Sequence, residues 1–213
     1  MSEDLNHRYS EKEERLNILS HGVGLVLSCL AFPFLILKAT QYQGFWPSIS
    51  LLIYGVSLIV LYAASTFYHA SKDPKRRRKL NILDHAAIYV LIAGTYTPFT
   101  LIILEGSLGW SVFGFTWMFA FLGIILKLFY TGRFDKLSTL MYVLMGWQII
   151  FVLDPLIEKF PFQGVQLLFL GGVFYTVGAL LYSLIRIKYN HAIFHVFVLL
   201  GSWCHFLSVY CFF

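Results

Sequence analysis

The chain has 213 residues, 58% of them hydrophobic, 18% aromatic and only 13% charged, with a formal net charge of +5. A soluble domain normally carries about 25% charged residues. With long apolar runs recurring from Leu16 to Phe213, this composition excludes a water-soluble globular protein and predicts an all-α integral membrane protein. No room is left for a second, soluble domain.

Residues 1–15 mix both signs of charge and read as a short cytoplasmic N-terminal segment. They do not form a cleavable signal: the first apolar run is too long for a signal core and lacks an Ala-x-Ala exit. Residues 16–213 then form one transmembrane domain of seven helices. The spans fall at about 17–39, 48–70, 81–104, 110–130, 137–155, 164–187 and 191–212, each near the ~20 residues needed to cross a bilayer. Connections are short, so consecutive helices should pack antiparallel. Pro33, Pro98 and Pro155 predict kinks of the kind membrane helices tolerate. Gly171, Gly172 and Gly178 predict close helix approach.

Lys and Arg set the orientation. With the N-terminus inside, the inner segments hold Arg8, Lys12, Arg15, the six basic residues from Lys72 to Lys79, Lys127, Arg133, Lys136, Arg186 and Lys188; the outside keeps Lys38 and Lys159. Such a bias predicts a cytoplasmic N-terminus and, with seven spans, a C-terminus outside. Trp46 and Trp110 fall at outer ends, where an aromatic belt belongs. The basic run reads as a topology anchor that attracts anionic headgroups. No nucleic-acid role is expected, because so short a loop offers no folded binding module. Cys29, Cys204 and Cys211 lie in apolar segments and read as small buried hydrophobes.

Four ionisable residues share one predicted depth. His69 closes span two, Asp84 opens span three, and His191 and His195 open span seven, all at the inner face. Ionisable groups inside membrane helices are costly and mark functional sites. His191 and His195, spaced i, i+4, face the same way, and three imidazoles are a ligand set for catalytic zinc that leaves a position for water. Asp84 would hold that water as a base or ligate directly. Ser65, one turn before His69, would donate to a water or an oxyanion. Each residue also has a plain explanation: a packing histidine, a chance pair, an aspartate matched to the basic loop. Their coincidence at one depth favours metal binding. His21 reads as a polar residue at a helix start, near the site in depth. His85 points to another face than Asp84. His205 is about 15 Å beyond His195 and hydrogen-bonds in the outer half. Asp154 caps or kinks span five, and Glu105 belongs to an outer loop.

These residues also carry a resemblance. Ser65-x-x-x-His69, Leu83-Asp84-His85 followed by Ala93-Gly94-Thr95-Tyr96-Thr97-Pro98-Phe99, and His191-x-x-x-His195 resemble the bacterial hemolysin III proteins of the progestin and adiponectin receptor superfamily, from Ser20-His21-Gly22 to the end of the chain. The resemblance implies seven helices with a cytoplasmic N-terminus in a bacterial cell membrane. It also implies zinc on His69, His191 and His195, Asp84 touching the zinc-bound water and Ser65 beside it. Animal relatives are linked to hydrolysis of lipid amides (ceramide); the bacterial branch is named for haemolytic activity and connected with membrane-lipid homeostasis. The chain lacks a sizeable soluble N-terminal region like that of the animal receptors, which argues against a hormone-receptor role.

Three functions follow as expectations. The first is a zinc-dependent hydrolase of membrane lipid amides or esters, with lipids as its partners. The second is a haemolytic pore or cytolysin, which clustered polar groups at one end of the bundle support poorly. The third is a non-catalytic membrane sensor or regulator, in which structural zinc ties spans two and seven.

Overall fold

The structure, a computed structural model, describes residues 9–131, 134–184 and 187–213. The basic residues Arg8, Arg133 and Arg186 therefore lie outside the described residues. Among the described residues there are no strands. Seven helices are long and apolar enough to cross a membrane: Glu11–Ala39, Phe45–Ala70, Pro74–Leu104, Gly106–Tyr130, Lys136–Lys159, Phe162–Ser183 and Asn190–Phe212. Apolar side chains such as Leu30, Phe121, Phe129 and Phe151 cover the outside of the bundle, as a lipid-facing surface requires.

Helix α1 (Glu11–Ala39) starts earlier than hydropathy alone suggests. Ser10 caps it by accepting the Glu13 amide at 3.2 Å, and Glu11, Glu13 and Glu14 occupy the first turn, where the positive end of the helix dipole favours acids. Its buried stripe is polar or small over the first half: Asn17, His21, Gly24 and Ser28. Leu16, Leu19 and Leu27 of that stretch face outward, so the helix is inside-out relative to a soluble one. It packs against α2 (Phe45–Ala70) and, less extensively, α8 (Asn190–Phe212).

Helix α3 (Pro74–Pro98) is the most enclosed span. Asp73 caps it by accepting the Arg76 amide at 2.8 Å, with Pro74 in the first turn. Pro98 lacks an N–H, and the helix continues as a wider π-helical turn over Phe99–Leu104. Thr97 and Thr100 turn their hydroxyls back onto the carbonyls of Ala93 (2.8 Å) and Tyr96 (3.1 Å), which keeps buried polar groups paired around the irregular turn. Helix α4 (Gly106–Tyr130) follows, and Trp110 at its start meets Trp46 edge-to-face at 4.9 Å. Lys127, counted from sequence among the inner-face basic residues, is fully buried.

Span five is broken rather than merely kinked. Helix α5 (Asp135–Trp147) passes through a 3-10 turn at Gln148–Val152 into α6 (Leu153–Lys159), with Asp154 in the first turn of α6. Tyr96 enters the break: its hydroxyl donates to the Gly146 carbonyl at 2.7 Å and accepts the Ile149 amide at 2.8 Å. Helix α7 (Phe162–Leu184) lies along α8. A Cβ at Gly171 would sit 2.2 Å from the His205 ring, and one at Gly178 would sit 2.7 Å from Phe197; these glycines permit the close approach. Of the three cysteines only Cys204 is buried, whereas Cys29 and Cys211 lie on the outer surface.

Candidate metal centre

His69 stands in the last turn of α2, and His191 and His195 in the first two turns of α8. One nitrogen from each lies within 4.8 Å of the other two, and all three residues are buried. The His69 Nε2 and His191 Nε2 atoms are 3.1 Å apart. Two nitrogens bound tetrahedrally to one ion at 2.0–2.1 Å lie about 3.3 Å apart, so this spacing fits a shared ion. Neutral imidazoles suit zinc among biological metals.

Hydrogen bonds to the outer nitrogens fit the same use. The Ser20 hydroxyl donates to the Asn17 carbonyl at 3.1 Å and therefore accepts from His195 Nδ1, also at 3.1 Å. That leaves His195 Nε2 with its lone pair inward. At His69 the carboxylate of Glu14 approaches Nδ1 at 2.6 Å, again leaving Nε2 as the acceptor. Metal-ligating histidines are commonly held in this way by their second nitrogen. The three residues fit a zinc ion in donor chemistry and spacing, and His69 and His195 fit it in tautomer as well.

Helix α1 supplies most of the surroundings. His21, read from sequence as a helix-start residue, instead stacks on His195 with ring centroids 3.5 Å apart and planes 9° apart. The Asn17 amide is 3.4 Å from His69 Nδ1. The Glu13 carboxylate faces the backbone N–H of His191 at the start of α8, where a helix N-terminus attracts an anion. Tyr9 lies against His191 at 4.6 Å, its hydroxyl 3.4 Å from that of Tyr182. Arg77 belongs to the basic run but is buried. It pairs with Glu14 and reaches the carbonyls of Tyr68, His69 and Ser71 at the end of α2, at 3.2–3.5 Å. Hydropathy reading missed Glu14, Asn17, Ser20 and Arg77. The available signals were the cap Ser10-x-x-Glu13, which starts the helix early, and the placement of Glu14, Asn17 and His21 on one helical face.

A cavity of about 150 Å³ opens beside the histidines. Its polar end is lined by His21, Ser65, Asp84, His191 and His195; beyond it the wall is almost wholly apolar, with Leu61, Ile88, Ile92, Val143, Phe194 and Val198, and it extends to His205. Asp84 lines this cavity but stands outside the three converging donors. Ser65 is fully buried, and its hydroxyl faces the Asp84 carboxylate. His85 lines the cavity as well, although sequence reading put it on another face; the cavity wraps far enough around α3 to meet two successive residues. His205 accepts its expected outer-half role, its Nε2 bonding the Leu168 carbonyl at 3.0 Å.

Residues 9–206 match the family described as Haemolysin-III related. The chain belongs to the haemolysin III family. This family member is 46% identical over 198 residues to Hemolysin-3 of Bacillus cereus, covering 93% of this chain and 90% of that one. It is 45% identical over 205 residues to the Hemolysin-3 homolog of Bacillus subtilis (strain 168), covering 95% and 96%. A more distant similarity, 26% over 171 residues, joins it to the human Monocyte to macrophage differentiation factor, covering 78% and 71%, in keeping with the progestin and adiponectin receptor superfamily. As a haemolysin III protein with seven apolar spans, it is a multi-pass protein of the bacterial cell membrane.

Proposed function

We propose that this protein binds zinc through His69, His191 and His195 and hydrolyses an amide or ester bond of a membrane lipid, at the cytoplasmic face expected from its basic residues. The observation that carries the reading is the three-imidazole cluster at the polar end of an otherwise apolar cavity. A zinc ion there supplies a Lewis acid for a carbonyl oxygen and acidifies water.

The chain's own residues take the remaining roles. Asp84, at the cavity wall but outside the donor cluster, accepts a proton from the attacking water and returns it to the leaving group. Ser65, at the cavity wall beside Asp84, donates to the oxygen that gains charge. The apolar walls around Leu61, Ile92, Val143 and Phe194 hold an acyl chain and exclude water from it. A purely structural metal would leave Asp84 and Ser65 without a task, although the ion would still tie α2 to α8.

The test is hydrolysis of detergent-solubilised lipid amides and esters by purified protein, with and without a chelator, beside Asp84→Asn. The variant should retain its metal and lose turnover by at least about 10²-fold, the lower end of the range expected for removing a positioned acid–base group. Metal-loaded parent that cleaves none of these lipids, or Asp84→Asn at parental rate, contradicts the reading. The first result would favour the regulator with structural zinc.

A further inference from the structure

Resting on the zinc reading, we propose that Glu14, held by Arg77, is the positioning residue that makes His69 a metal ligand. His69 is the lone donor from α2. The other two share one helix, and their i, i+4 spacing orients them together; nothing in α2 does the same for His69. Its Nδ1 meets Glu14 Oε2 at 2.6 Å. A carboxylate can only accept, so Nδ1 carries the hydrogen. The nearby Asn17 amide, 3.4 Å from the same atom, is a donor and does not compete for that hydrogen. Nε2 is thereby fixed as a lone pair facing His191 and the centre of the cluster.

Glu14 is itself held. The Arg77 guanidinium bonds its second oxygen, spans the last carbonyls of α2 and lies over the Tyr68 ring at 4.6 Å. The side chains of His69, Arg77 and Glu14 are 0%, 9% and 18% exposed. A charged pair so shielded is firmly localised. Arg77 thus links the loop before α3 to the end of α2 and to α1, and through Glu14 to the ligand. The first turn of α1 belongs to the metal centre rather than to a solvated tail.

Zinc affinity by chelator competition and the visible spectrum of the cobalt-substituted protein test this together, on the full chain in detergent. The parent is compared with Glu14→Ala and the isosteric Glu14→Gln. Loss of an orienting partner typically weakens metal binding by about 10–100-fold. Glu14→Ala should fall in that range with an altered cobalt spectrum. Glu14→Gln, whose amide oxygen still accepts from Nδ1, should recover part of the loss. If Glu14→Ala does not fold, Glu14→Gln alone decides, and it should bind measurably less tightly than the parent. Parental affinity and spectrum in the folded variants overturn the role of Glu14 and leave the centre standing. A parent that binds neither metal overturns the zinc reading and this inference with it. A merely structural Glu14 would lower the melting temperature of metal-free protein while affinity stayed parental, and that result also overturns it.

Discussion

A histidine nitrogen that carries a hydrogen cannot ligate a metal, so a three-histidine site depends on where three hydrogens are held. Here two are held by α1: His195 by Ser20, and His69 by Glu14. Neither partner is apolar; Glu14 precedes the first apolar run, which is why hydropathy reading assigned it to a terminal segment, and Ser20 lies inside that run as one polar residue among many. The ligands were legible because ionisable residues stand out against a lipid-facing sequence. Their partners were not, because serine, asparagine and a first-turn glutamate are ordinary at the start of any helix. Ser65 is a fully buried hydroxyl beside Asp84 at the cavity wall. Ser65→Ala should keep the parent's fold and metal content while losing about 10²–10³-fold in lipid turnover, as when an oxyanion donor is removed. Parental turnover in that variant would remove Ser65 from the chemistry.

At the scale of elements, the seven spans lie close to where hydropathy puts them, since length and apolarity are both written in the chain. The departures have specific causes. Pro98 widens the end of span three into a π turn, and Pro155 follows the broken turn in span five. Sequence marked both prolines but not what repairs the backbone near them. At span five the repair is Tyr96, reaching across from α3 to pair one carbonyl and one amide of the break. Buried backbone groups left unpaired cost about 1–3 kcal/mol each. Tyr96→Phe should therefore destabilise the bundle by roughly 2 kcal/mol or more, read as a lower unfolding temperature in detergent. An unchanged unfolding temperature would mean that the break is closed in some other way. Tyr96 also lines the cavity, so the same bond shapes the wall along which an acyl chain would lie.

At the scale of the whole molecule, helices α1, α2, α3 and α8 bring polar side chains to one end of the bundle, while α2, α3, α5, α7 and α8 line a largely apolar space beyond it. Antiparallel succession of seven helices places the end of α2 and the starts of α1, α3 and α8 at that same end, so His69, Asp84, His191 and His195 meet without any unusual connection. The sequence could therefore announce the site before it could describe the site's supports. The most direct test of this centre is elemental analysis of the detergent-purified protein beside the His191→Ala/His195→Ala double variant. About one zinc per chain in the parent, absent from the double variant, is the expected result. A folded parent prepared without chelators that carries no metal, or a double variant that keeps its full complement, would contradict it.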